Sequence, residues 1–79
     1  MVSLQAVQRP PHYRKVFGEA IRARRREARL TQEKLAELAD MHHNSTGEVE
    51  RGNTDCTLSS MVKIAKALRV RVKDLVREI

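Results

Sequence analysis

Apolar residues recur along most of this chain at spacings of three and four positions, which is the period of an α-helix. The spacing predicts a first helix from about Val16 to Ala28. Two shorter patterns follow, one of about two turns after Thr31 and one from about His42 to Arg51. The apolar stripe of the first helix consists of Phe17, Ala20, Ile21 and Ala28. The chain up to Arg51 is therefore predicted to hold three helices.

Two more helices are predicted after a loop at residues 53–56. Thr57 can cap the first of them, because a hydroxyl accepts hydrogen bonds from the free N–H groups at a helix start. The apolar stripe of this fourth helix is Leu58, Met61, Ile64, Ala65 and Leu68. A last short helix accounts for Val72, Leu75, Val76 and Ile79. An all-α chain of five helices leaves no apolar stripe without a partner, and we predict this fold class.

The connection between the second and third helices is short. Thr31 is suited to cap the second helix, and Asp40 interrupts the pattern with a residue that tolerates left-handed backbone. Gly52 can supply the positive φ that commonly closes a helix. Two small helices joined by so short a turn are typical of a helix-turn-helix unit.

Residues 1–15 show no sustained apolar period. Pro10 and Pro11 enforce extended backbone that a helix cannot cross. We expect a flexible N-terminal arm or tail at 1–15 and a folded domain at 16–79. The arm is either a disordered terminus or a segment that touches DNA or a second subunit.

The formal net charge of +6 and the pI near 10.3 favour an anionic partner. The charge is uneven, because residues 35–55 carry five acidic side chains and one basic one, Arg51. Phosphate neutralisation is therefore expected from the first helix, from Arg51 and from backbone N–H groups at helix starts. Tyr13 and Phe17 are the only aromatic residues, too few for base stacking on single strands, so we expect a double-stranded nucleic acid.

Several other classes are disfavoured by the sequence. Cys56 is the only cysteine and cannot form an internal disulfide, which suits a reducing cytoplasm. No apolar run approaches the roughly 18 residues of a membrane span, and no signal pattern is present at the N-terminus. No Gly-rich phosphate loop and no nucleophile with a base is visible, so we expect neither an enzyme nor a cofactor. We predict a cytoplasmic protein that does not engage a membrane.

His42 and His43 could be considered as metal ligands, but their spacing does not support a metal site. Adjacent helical residues point about 100° apart, and the third histidine, His12, lies far away in the arm. We predict no metal site. Cys56 is expected to act as a small, partly buried apolar residue.

Four segments together resemble the Cro/C1-type (XRE-like) helix-turn-helix family. They are Leu30–Glu33 (LTQE), Leu35–Ala36 (LA), Glu50–Gly52 (ERG) and Lys63–Leu68 (KIAKAL). The family includes lambdoid phage repressors and controller proteins of restriction-modification systems. The resemblance implies a compact five-helix, lambda-repressor-like domain whose third helix enters the major groove of DNA.

The resemblance also implies roles for particular residues. Gln32 matches a phosphate and base contact, and residues 42–45 match the first turn of the recognition helix. Arg25 and Glu50 match positions that form a partly buried ion pair in some relatives. The full set of predicted DNA-binding residues is Arg25, Thr31, Gln32, His42, His43, Asn44, Ser45, Glu48, Arg51 and Asn53.

The chemistry of three of these residues suits base edges. The Asn44 amide can pair with adenine N6 and N7, and His43 can donate to guanine or to a phosphate. Glu48 can accept from cytosine N4 and repels phosphates, so it is expected to raise specificity more than affinity. The alternative for Glu48 is an exposed residue that touches nothing.

The third helix is expected to be the least stable of the five. Thr46 stands where the family has a core Ile or Val, and its hydroxyl is expected to bond a carbonyl one turn back in the same helix. Gly47 in mid-helix costs about 1 kcal/mol relative to alanine.

One helix in one groove reads too few base pairs for selectivity, so we expect a homodimer that acts as a repressor on a palindromic operator. The residues predicted for the dimer interface are Val70, Val72, Val76 and Ile79; the alternative is that they fill the domain's own core. A different function is also open, an antitoxin-type module that binds a toxin and autoregulates its operon. Residues 1–15 are the candidate toxin-binding segment.

Overall fold

The computed structural model describes residues 12–79, and every regular element within that range is an α-helix. The helices are α1 (His12–Glu27), α2 (Gln32–Leu38), α3 (Ser45–Glu50), α4 (Leu58–Leu68) and α5 (Val72–Val76). The predicted all-α class with five helices is confirmed. Within 12–79, no helix is both long and apolar enough to span a bilayer.

Helix α1 begins at His12, four residues before the predicted start at Val16. The extra turn is held from outside the helix. Arg14 Nε and Nη2 donate to the two carboxylate oxygens of Asp55 at 2.7 and 2.8 Å, and the backbone of Lys15 lies against Gly52. Residues 12–15 therefore belong to the folded domain. The remainder of the predicted arm, with the proposed toxin-binding role, lies outside the described residues.

The C-terminal end of α1 also differs from the prediction. The helix ends at Glu27, and Arg29 adopts a left-handed backbone with φ of 58°. The N–H of Leu30 then donates to the carbonyl of Arg25 at 3.1 Å, which turns the chain away. Ala28 is exposed as a result, and its assignment to the apolar stripe was wrong.

All five helices contribute to one core. Its buried apolar side chains are Phe17, Ile21, Leu35, Ala36, Ala39, Val49, Ile64, Ala65, Leu68 and Leu75. Leu58 was predicted to join them but is 70% exposed, because it is the first residue of α4 and lies beyond the elements that cover the helix. Met61 is partly buried and packs against the core.

The local features that end and begin α2 and α4 agree with the prediction. Thr31 and Thr57 are the N-caps, and their hydroxyls accept from the backbone N–H three residues on, at 3.0 and 3.1 Å. Asp40 takes a left-handed conformation with φ of 54°, and Gly52 has φ of 75°. These bonds and angles involve near neighbours, so the sequence could specify them.

Helix α3 begins at Ser45, three residues later than predicted. His42 and His43 form the preceding turn, in which the Ser45 N–H donates to the His42 carbonyl at 2.9 Å. The two imidazole rings are stacked, with centroids 4.3 Å apart. Asn44 is the N-cap, but its side chain makes no capping bond. Helix α3 therefore starts without the cap that α2 and α4 have.

We expect the amides of α3 to exchange with solvent faster than those of α4 in the free protein. The physical reasons are its six-residue length, the uncapped start and Gly47 in its middle. Native-state hydrogen exchange measures this directly. Protection of residues 45–50 equal to that of residues 58–68 would contradict the expectation.

Candidate nucleic-acid interface

Helix α3 has a buried face and a polar, solvent-facing one. Thr46 and Val49 are buried on the inner face, and Glu50 follows them with 2% of its surface exposed. Asn44 and Arg51 are exposed and Glu48 is half-buried on the other side. The helix therefore presents amide, carboxylate and guanidinium groups to solvent.

The angle between α2 and α3 is held by Thr46. Its hydroxyl donates to the backbone carbonyl of Gln32 in α2 at 2.8 Å. The predicted partner was a carbonyl in α3 itself, and that prediction was wrong, because Thr46 points into the interface between the two helices. A buried hydroxyl thus satisfies its bonding requirement and joins the two helices in one contact.

A cluster around the Glu50 carboxylate anchors the end of α3. Arg25 donates from Nε to Oε2 at 2.6 Å and from Nη2 to Oε1 at 3.1 Å. Arg22 Nε and Gln32 Nε2 also donate to Oε1, at 3.2 and 3.1 Å. Side chains from α1 and α2 therefore converge on one residue of α3.

This cluster gives Arg25 a structural role. Its Nη1 donates to the Leu30 carbonyl at 2.8 Å, and its side chain is only 12% exposed. The ion pair with Glu50 implied by the family resemblance is present, and Nε, Nη1 and Nη2 of Arg25 each donate a hydrogen bond within the domain. The DNA contact predicted for Arg25 stays a prediction. Arg25 supports α3 from beneath.

Burial is the largest influence on the pKa of Glu50 and opposes its ionisation. The hydrogen bonds from Arg25, Gln32 and Arg22 together outweigh burial, so the pKa of Glu50 lies below its ordinary value. The carboxylate is therefore charged at neutral pH.

A second polar cluster lies on the solvent side of α3. Arg51 Nη2 donates to Glu48 Oε1 at 2.9 Å, and Asn53 Nδ2 donates to Glu48 Oε2 at 3.2 Å. The hydrogen bond from Arg51, followed by that from Asn53, holds the pKa of Glu48 below its usual range. Three predicted DNA-binding residues thus contact one another in the free protein.

An open groove of about 410 Å³ runs between α3 and the start of α4. Asn44, Ser45 and Glu48 line one side, and Thr57 and Ser60 line the other. The groove therefore adds hydroxyl groups of α4 to the polar surface of α3.

The other predicted site residues have the following positions. Thr31, His42 and His43 are exposed, and Gln32 and Ser45 are half-buried. No group of three possible metal ligands occurs within residues 12–79. Burial raises the pKa of the Cys56 thiol to about 11, so the half-buried thiol is neutral and packs against the core.

The predicted dimer residues divide into two groups. Val70, Val72 and Val76 are half-buried and pack against the domain's own core. Ile79 is 59% exposed. Leu58 and Val62 of α4, which the sequence did not assign to an interface, are 70% and 37% exposed.

Gly18 has a packing role that was not predicted from the sequence. A Cβ at this position would lie against the carbonyl oxygen of Val49 and 2.5 Å from that of Glu50. Helix α1 therefore crosses the end of α3 with its backbone in direct contact. A glycine inside a helix lowers its stability relative to alanine. Its presence within the predicted first helix was the one indication in the sequence that another backbone packs closely there.

Comparison with known proteins gives one consistent result. A family model described as "Helix-turn-helix domain" matches residues 16–79. The control protein C.BamHI of Bacillus amyloliquefaciens is 40% identical over 63 residues, which cover 78% of each chain. The crystal structure of the restriction-modification controller protein C.AhdI of Aeromonas hydrophila superposes with a TM-score of 0.77 at 34% identity, covering 78% of this chain and 94% of that one. The P22 c2 repressor, solved in complex with a synthetic operator, gives a TM-score of 0.75 at 25% identity, with coverages of 81% and 97%.

Proposed function

This chain belongs to the helix-turn-helix domain family and is a DNA-binding transcriptional regulator rather than an enzyme; we propose that it reads its operator by placing α3 in the major groove, as a homodimer. The observation that carries the proposal is the division of α3 into two faces. Its buried face is fixed by Thr46 and Glu50, while Asn44, Glu48 and Arg51 project from the other side. A major groove is wide enough to admit such a helix.

The proposed division of labour follows the chemistry of the exposed groups. Asn44 and Glu48 read base edges, because an amide matches adenine and a carboxylate accepts from cytosine N4. Arg51 and Asn53 contact phosphates and set the register of the helix. Residues that flank α3, namely Thr31, Gln32, His42, His43 and Ser45, contribute further polar contacts. Arg25 supports the reading surface by holding Glu50 at the end of α3.

Dimerisation is part of the proposal because one helix covers too few base pairs for a selective site. Two-fold pairing places two recognition helices about 34 Å apart on one side of the duplex. The exposed apolar side chains of Leu58, Val62 and Ile79 are available for pairing, whereas Val70, Val72 and Val76 are occupied by the core. We expect the free protein to sediment as a dimer and the variants Ile79→Asp and Leu58→Asp to sediment as monomers; an unchanged dimer in both variants would contradict this interface.

The experiment that tests the function is selection of bound duplexes from a random pool. We expect a palindromic consensus whose half-sites are separated by one helical turn. A consensus without two-fold symmetry would contradict the dimer. A pool that shows no enrichment, even at low ionic strength, would contradict sequence-specific recognition.

Replacing Asn44 with alanine is expected to relax the preference for one base pair in each half-site. A correct amide-to-adenine pair is worth about 1 to 3 kcal/mol of discrimination, so binding to the selected duplex should weaken by about fivefold or more. Binding to random duplex should change little. Fluorescence anisotropy with both duplexes measures the difference.

Asn53→Ala is the matched control, because it removes the same side chain just beyond α3. We expect this variant to retain the wild-type consensus, since contacts to phosphates carry no base information. An unchanged consensus for Asn44→Ala would remove Asn44 from the reading surface.

A further inference from the structure

The Arg51 guanidinium is folded back along α3 rather than extended into solvent. Its Nη2 donates to Glu48 at 2.9 Å. A Cβ on Gly47 would lie 3.1 Å from Arg51 Nη1 and 3.4 Å from Nη2, so the group rests over the bare backbone of that glycine. The missing side chain at Gly47 therefore makes room for the folded arginine.

Each oxygen of the Glu48 carboxylate accepts one hydrogen bond in this arrangement. Arg51 holds Oε1 and Asn53 Nδ2 holds Oε2 at 3.2 Å. Arg51 and Glu48 side chains are nevertheless 49% and 46% exposed. An ion pair that accessible is weak and can exchange partners when another donor or acceptor arrives.

Resting on the function proposed above, we propose that Glu48 restrains Arg51 and releases it to a phosphate only when a base edge supplies a replacement donor. Glu48 then acts as a selectivity gate. Its carboxylate discriminates between duplexes by controlling the arginine as well as by touching a base.

The physical reasoning concerns the carboxylate that Arg51 would leave behind. On a random duplex, a phosphate can attract Arg51, but Glu48 would lose its cationic partner next to a polyanion. On a duplex with cytosine at the right step, the N4 amino group can donate to Glu48 in place of the arginine. Arg51 can then neutralise a phosphate while both oxygens of Glu48 keep a hydrogen-bond donor, one from cytosine N4 and one from Asn53. The electrostatic contact is thereby coupled to the correct base.

The test uses Glu48→Gln, Arg51→Ala and the double variant, each titrated with the selected duplex and with random duplex at several salt concentrations. Glu48→Gln is expected to bind random duplex about twofold to fivefold more tightly, the range of an exposed ion pair. Its salt dependence on random duplex should steepen by about one unit, because one more cation reaches the phosphates. The same variant should lose about fivefold or more on the selected duplex.

Arg51→Ala distinguishes a gate from simple charge removal. In that background, Glu48→Gln should no longer steepen the salt dependence. Glu19→Gln, an exposed acidic residue on α1, controls for the loss of one negative charge. The gain in random-duplex affinity that Glu19→Gln shows is the gain expected from losing one negative charge. Adding Glu48→Gln to Arg51→Ala should raise random-duplex affinity by no more than that amount.

Two results would overturn the gate while leaving the proposed function intact. One is unchanged random-duplex affinity and salt dependence in Glu48→Gln, and the other is a full gain that persists without Arg51. If the wild-type protein shows no duplex preference at all, the proposed function fails and the gate with it.

Discussion

Replacing Gly18 with alanine is expected to lower the melting temperature by about 5 to 20 °C, although the same change inside a helix normally stabilises a protein. The added methyl group would press against the carbonyl oxygens of Val49 and Glu50. Both obstacles are backbone atoms at the end of α3, so α1 must move away from it. Overpacking of this kind costs about 1 to 3 kcal/mol, and here it also disturbs the Glu50 cluster. Thermal and urea unfolding followed by circular dichroism measures the loss.

Gly47→Ala is the matched control for Gly18→Ala, since both glycines lie within helices. A methyl group at residue 47 would meet the ends of two flexible side chains, Arg51 and Gln32, at 3.1 Å. These can shift, so the helix-propensity gain of up to about 1 kcal/mol should dominate. The two substitutions are thus expected to change stability in opposite directions. Equal stabilisation by both would show that α1 does not cross α3 as closely as described.

Replacing Glu50 with alanine is expected to cost about 3 kcal/mol, which is a large share of the stability of so small a domain. The Glu50 side chain is fully buried, and its removal leaves Arg25, which is 12% exposed, without its carboxylate. The value lies at the low end for a broken buried pair, because Arg22 is 37% exposed and can turn to water. Denaturant unfolding at neutral pH measures the change.

The control for Glu50→Ala is Glu37→Ala, which also removes a glutamate from an ion pair. The Lys34–Glu37 pair is exposed and its atoms are 3.5 Å apart, so little or no change is expected. A similar loss in both variants would mean that charge, rather than burial, determines the effect. Glu50→Gln should lie between wild type and Glu50→Ala, because it keeps an acceptor for Arg25 but loses the charge.

Acidification should weaken the fold through the same residue. The folded-state pKa of Glu50 lies below its ordinary value of 4.5. The contribution of the Glu50 carboxylate to the free energy of unfolding is therefore complete above about pH 4.5 and is lost as the pH falls through the folded-state pKa. The unfolding free energy measured from neutral pH to pH 3 should fall less steeply in Glu50→Gln than in wild type. Parallel pH profiles would contradict the assigned role.

Much of the fold could be predicted because the relevant signals are local. The helical period, the Thr31 and Thr57 caps and the positive φ of Asp40 and Gly52 depend on residues within about one turn of each other. The solvent-facing residues Asn44 and Arg51 were also named from the sequence, Asn44 through the resemblance to the helix-turn-helix family and Arg51 through the distribution of charge along the chain.

The errors share a different cause. The start of α1 at His12 depends on Asp55, which pairs with Arg14 across 41 positions of sequence. The partner of Thr46 lies in α2, and the exposure of Leu58 depends on which elements reach the start of α4. The geometry of the Glu50 cluster likewise depends on tertiary contacts, because four donor groups from α1 and α2 meet at one carboxylate.

The amino-acid pattern of residues 12–79 was enough to specify five helices, the third with polar side chains facing solvent, because periodicity, capping and turn chemistry act between near neighbours. How the third helix is held depends on contacts between helices, namely the close backbone contact at Gly18 and the buried carboxylate of Glu50. Both join atoms that are far apart in the sequence. Their energies depend on burial and on distances between helices, which no local pattern of residues contains.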